Sequence, residues 1–121
     1  MSSDSETEAF IRAAFGSVWA LELLLILREA PDRDWTRAEL IASLRASDHV
    51  LSRSLADLRA MELVQEEGDN VRYAPGAPHE VQLGRAVALY ESRPTFVRRL
   101  IVGGPQDSVE RFADAFKFRR D

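Results

Sequence analysis

Cysteine is absent from this sequence, which excludes disulfide staples, thiolate metal sites and cysteine nucleophiles. Such a composition suits a reducing cytoplasm, the expected location. Histidine is nearly as scarce: His49 and His79 stand far apart, and neither belongs to a grouping with metal-ligand spacing. His49 follows Asp48 and lies near Ser52, but neighbouring positions on one helix point in different directions, so no nucleophile-base-acid geometry is supplied. Gly103-Gly104-Pro105 lacks the lysine and following hydroxyl of a phosphate-binding loop. The expectation is therefore a chain that is not an enzyme and holds no cofactor and no metal.

Long apolar runs are missing as well. The most apolar stretch, Val18 to Leu27, is short and contains Glu22, whereas a membrane span needs ~20 apolar residues. A buried helix, and no membrane, is the reading. Met1 to Glu8 is polar and acidic, unlike the basic start and apolar run of a secretory signal, and is expected to be a frayed tail. Positive charge is the last shortage. The net charge is −4, and it is unevenly placed: residues 1–34 hold three basic and seven acidic side chains, residues 35–84 five and eight, and residues 85–121 eight and five. A protein whose affinity rests on neutralising phosphates usually carries more positive charge than this on its reading elements.

What is present is enough for one core. The chain has 121 residues, 45% of them hydrophobic, the usual size of a single domain. Glu6 to Phe15 can form a short helix with Phe10, Ala13 and Ala14 on one side, interrupted by Gly16. Ser17 is a good N-cap for a helix through about Arg28, in which Trp19, Leu23, Ile26 and Leu27 recur at helical spacing while Leu24 and Leu25 widen the apolar face. So broad a face predicts contact on several sides. After a loop at Pro31 to Asp34, Thr36 and Glu39 make a capping box, with Trp35 placed to staple onto Leu40. Leu40, Ile41 and Leu44 form the buried stripe of this helix, which ends near Arg45. Ser47 caps the next helix, whose Leu51, Leu55 and Leu58 share one narrow stripe. Glu62 would rotate onto that stripe, so the helix should stop near Met61.

Leu63 to Glu67 and Val71 to Ala74 read as the strands of a β-hairpin around Gly68, Asp69 and Asn70, a tip that tolerates positive φ. From His79 to Glu91, Leu83, Ala86, Val87 and Tyr90 make one helical face, and Pro94 stops or kinks that helix. Phe96, Val97, Leu100 and Ile101 continue on a second segment. Beyond Gly103, Gly104 and Pro105, a last helix is expected with Val109, Phe112, Ala113 and Phe116 on one face.

The capped Trp35-Thr36-Arg37-Ala38-Glu39-Leu40-Ile41, the turn Leu44-Arg45-Ala46-Ser47, the Leu51/Leu55/Leu58 stripe and the hairpin at Gly68 to Asn70 together resemble the winged helix-turn-helix domain of small bacterial transcriptional regulators. The leucine-rich helix before them and the helical extension after them are similar in layout to dimeric regulators of the multiple-antibiotic-resistance type. The resemblance covers roughly residues 17–74. It implies a mainly α fold with a small β-hairpin: an N-terminal tail and short helix (1–16), a winged helix-turn-helix core (17–76) and a C-terminal helical extension used for dimerisation (77–121), all in one structural domain. It also implies transcription regulation by a homodimer that lays one helix of each subunit in successive major grooves of duplex DNA.

On this resemblance the reading helix runs from Asp48 to Met61. Opposite its leucines lie His49, Arg53, Ala56 and Ala60, with Ser52 and Asp57 at the edges. Arg53 could read guanine bidentately, Ser52 or His49 could bond a base edge or a phosphate, and Arg72 is the basic residue of the wing. Arg53 is equally readable as a solvated surface residue. Three departures weigh against the DNA reading, and the last two motivate an alternative, a module that binds a regulatory protein without touching DNA. Arg45 stands where glycine is common in the turn, the wing carries Glu66, Glu67 and Asp69 against Arg72, and Asp48 and Asp57 offset the guanidinium of the reading helix. At the other end, Phe96, Leu100, Phe112 and Phe116 are the candidates for a dimer interface.

Overall fold

A computed structural model describes residues 2–103. The expected last helix, with Phe112 and Phe116, lies outside them. Six helices and a small three-stranded antiparallel sheet follow in the order α1 (Ser2–Ala14), α2 (Val18–Glu29), β1 (Trp35–Thr36), α3 (Arg37–Leu44), α4 (Asp48–Ala60), β2 (Val64–Glu67), β3 (Asn70–Tyr73), α5 (Ala77–Ser92) and α6 (Pro94–Val102). No single helix among the described residues is long and apolar enough to cross a membrane.

α2 is the hub. Its Ser17 cap accepts from the amide of Ala20, and Ala20, Leu21, Leu23, Leu24 and Leu27 are buried against α3, α4, α6 and the sheet. That many-sided burial is what a helix apolar around most of its circumference requires. Trp19 breaks the expected pattern. It is 41% exposed, because burial of Leu23 and Leu27 is shared with Ala20, Leu21 and Leu24, which turns Trp19 toward solvent. In α1 the expected frayed tail is helical from Ser2, and Ile11 is buried where Ala13 was expected. The cause lies at the other end of the chain. α1 packs against α5 and α6, and the buried Thr7 hydroxyl bonds Gln82 Oε1 at 3.2 Å.

α3 and α4 form as their caps dictate. Thr36 Oγ1 accepts from the Glu39 amide at 3.1 Å while Glu39 Oε1 accepts from the Thr36 amide at 3.0 Å. The exchange satisfies two amides that a helix start leaves open. Ser47 does the same for α4 through the amide of Val50. Leu51, Leu55 and Leu58 are fully buried, each contributing roughly 1.5–3 kcal/mol relative to exposure. α4 ends where Glu62 takes φ 59°, so that Leu63 can return its amide to Leu58 and enter the core.

The hairpin pairs Val64 with Tyr73 and Glu67 with Asn70, leaving Gly68 and Asp69 as a two-residue turn. Positive φ falls on Gly68 alone at 61°, as a type II′ turn requires, and Asn70 belongs to the strand rather than the tip. A third strand is also present. Trp35 and Thr36 pair with Val71 and Asn70, giving the order β1-β3-β2. Trp35 is therefore buried as a strand residue, with the Arg33 guanidinium 3.6 Å over its ring. Pro78 sits in the first turn of α5, where its missing amide costs nothing.

Candidate binding surface on the fourth helix

Three sides of α4 are spoken for, and the fourth is open. Its leucines face α2, its start is held by α3, and its other flank is tied to the α1–α2 junction. The Asp57 carboxylate accepts from the Gly16 amide at 3.0 Å across that last contact. A Cβ on Gly16 would come within 2.7 Å of the same oxygen, so a larger residue here would push the Asp57 carboxylate aside. Asp57 is thus engaged in holding the helix. The remaining arc, His49, Ser52, Arg53, Ala56, Arg59 and Ala60, is exposed.

Along one edge of the arc runs a contact invisible in the sequence. Arg37, the first residue of α3, extends Nη2 to Asp48 Oδ1 at 2.7 Å and to Ser52 Oγ at 2.8 Å, bridging one turn of α4. Arg37 was therefore missed as a member of the surface, and Asp48 was read only as a charge offsetting Arg53. Both are first residues of capped helices, which was the available signal, but their approach depends on the angle between the helices. On the opposite edge, His49 and Arg53 line a shallow groove of about 290 Å³ with Gly16, Ser17, Trp19, Val50 and Asp57. Among the described residues Arg53 enters no ion pair.

Arg72, the hairpin candidate, is placed elsewhere. Its Nε donates to Asp34 Oδ1 at 2.8 Å, and both lie beside Gln65, Glu67 and Asn70 rather than against α4. Arg59 is similarly engaged with Glu66 at 2.6 Å, which joins the end of α4 to β2. His49, Ser52 and Arg53 thus share one surface, and Arg72 is held by a carboxylate on another. These exposed pairs are each worth ~0–1 kcal/mol, so a competing phosphate could displace them. Glu39 is held below the ordinary carboxylate range chiefly by the Thr36 amide, with the guanidinium of Arg33 assisting.

The dimer candidates among the described residues differ from each other. Leu100 is buried in the chain's own core with Val97 and Ile101, whereas Phe96 is half-buried, with the Arg93 guanidinium 4.1 Å from its ring centre. Between α2 and α5 lies a cleft of about 560 Å³ lined by Leu25, Val87, Tyr90 and Pro94 with Arg28, Glu29 and Glu91. The Tyr90 hydroxyl donates to Glu22 and accepts from Arg98 at its back. Burial, aided by Glu22, pushes its ionisation up from the ordinary phenol range. Among the described residues no group of histidine and carboxylate side chains is placed to hold a metal ion. No family model, curated protein or solved structure matches the chain.

Proposed function

We propose that the chain is a winged helix-turn-helix protein, with α3 and α4 as the helix-turn-helix and the β2–β3 hairpin as the wing, that binds duplex DNA through α4. It acts as a cytoplasmic homodimer in transcription regulation, and not as an enzyme. The observation that carries this reading is the open arc of α4. It offers His49, Ser52 and an unpaired Arg53 on a helix braced from both flanks, and Ala56 and Ala60 keep its relief low enough for close approach to a groove. Dimerisation through the C-terminal half is supported by the exposed Val102 on α6 and by the partly open ring of Phe96.

The test is a fluorescence anisotropy titration against duplexes recovered from a randomised library at low salt. Arg53→Ala should weaken binding to a recovered duplex by ~1–3 kcal/mol if the guanidinium makes a bidentate contact to guanine. Unchanged affinity removes Arg53 from the mechanism. A second reading, a protein-binding winged helix, is favoured by Arg59 and Arg72 being neutralised by Glu66 and Asp34, and by Trp19 standing exposed beside Arg53. Tryptophan and arginine are the residues most enriched at the centres of protein interfaces. Failure to recover any duplex at low salt decides for that second reading.

A further inference from the structure

We infer that Asp48 and Ser52, fixed by Arg37, form a clamp that reads the major-groove edge of adenine. The inference rests on α4 being the element that enters the groove.

Hydrogen-bond directions make the case. Ser52 Oγ accepts from the Arg37 guanidinium, which can only donate. With that lone pair occupied and its oxygen polarised by a cation, the hydroxyl turns its proton outward as a donor. Asp48 Oδ1 accepts from the same nitrogen, and among the described residues its other oxygen has no partner, so the carboxylate offers an acceptor. The result is one donor and one acceptor, a single helical turn apart, anchored to a common atom. Both are exposed, in the first half of α4, and the N-terminal residues of a docked reading helix are those that meet base edges.

The four bases differ in what they can return to such a pair. Guanine presents two acceptors, cytosine a donor alone, and thymine an acceptor and a methyl group. Adenine alone presents an acceptor, N7, beside a donor, N6, on its own edge. Ser52 would donate to N7 and Asp48 accept from N6. A bare carboxylate would be repelled by the flanking phosphates, but Arg37 offsets its charge and so allows the approach. Arg37 is a positioning residue in this arrangement. It touches no base, and it sets the direction of both groups that do.

The experiment is selection from a randomised duplex library by the full chain, followed by affinity measurements on the recovered site with each base at each position. The wild-type chain should prefer adenine at one position of each half-site. Ser52→Ala and Asp48→Ala should each lower that preference about tenfold or more, leaving the other positions unchanged. Arg37→Ala should lower the same preference selectively, with some loss of overall affinity from the uncovered Asp48 carboxylate, and Arg37→Lys should restore part of both. If Arg37→Ala instead weakens all sequences alike and reduces the salt slope by about one, Arg37 is a phosphate contact and the clamp is wrong. Equally, an adenine preference untouched by Ser52→Ala and Asp48→Ala overturns the clamp while leaving DNA binding intact. Recovery of no duplex overturns the DNA reading and the clamp with it. Circular dichroism melts of the variants, whose changes are at exposed Asp48 and Ser52 and half-buried Arg37, check that the fold is kept.

Discussion

Arg45 and Glu62 hold left-handed backbone at φ 57° and 59°, each directly after a helix that must turn sharply. Glycine adopts this conformation without the Cβ conflict that a larger residue meets, and helix ends commonly use it for that reason. The two positions are otherwise unlike. Glu62 lies between α4 and the hairpin, where its side chain is exposed and, among the described residues, makes no hydrogen bond or ion pair that would offset the conformational cost. Glu62→Gly should therefore stabilise the chain by ~0.5–1 kcal/mol, read as a higher midpoint in urea with an unchanged slope. A fall in midpoint would mean that glycine's extra freedom in the unfolded chain outweighs the relieved strain. Arg45, at the turn before α4, is exposed and takes the same conformation at a local cost.

Among the elements, α6 separates two roles that the sequence pattern merges. Phe96 and Leu100 share a helical face and were paired as interface candidates, yet Leu100 is inside the core shared with α1, α2 and α5 while Phe96 is at its margin. Leu100→Ala should lower stability by ~2–5 kcal/mol, the range for buried leucine truncation, in thermal or urea unfolding. Phe96→Ala should leave the fold nearly intact and shift the monomer–dimer balance, measured by light scattering on a sizing column. A Phe96→Ala chain with unaltered mass across a dilution series would remove Phe96 from the proposed dimer interface. The capped pair α3 and α4 behaves differently from α6, because its start points are written locally and only its mutual docking is tertiary.

At the scale of the whole molecule, charge is the governing quantity. The net charge is −4, and Asp34, Asp48 and Glu66 each hold an arginine of the α3, α4 or hairpin surface. On the DNA reading proposed above, a duplex would have to compete with these carboxylates, which would limit sequence-independent attraction and leave base contacts to set affinity. Asp34→Asn should free Arg72 for a phosphate, raising affinity for a recovered duplex several-fold at low salt and steepening the salt dependence by about one. An unaltered salt slope would place the wing outside the docking surface. Glu67 and the turn residue Asp69 would then keep the hairpin off a DNA backbone, Glu66 being paired with Arg59.

Much of the architecture is legible in the chain itself. Thr36 with Glu39, Ser47 and Ser17 mark helix starts because capping joins residues within one turn, and Gly68 marks the hairpin because a type II′ turn needs positive φ there. Leucine spacing places the buried face of α4 for the same reason of short range. His49, Ser52 and Arg53 follow as its outward residues. Other features have no local signature. The strand at Trp35 and Thr36 is too short to show alternation and exists only because β3 offers an edge to pair with. The helical start of α1 depends on α5 and α6, far along the chain, and the exposure of Trp19 depends on which of several apolar neighbours α2 buries. The candidate site divides in the same way. Sequence determined which residues α4 presents, because a helix fixes its own faces. Only the tertiary structure decided that Arg37 reaches Asp48 and Ser52 while Arg72 turns to Asp34, because a long side chain takes the partner that packing brings within reach.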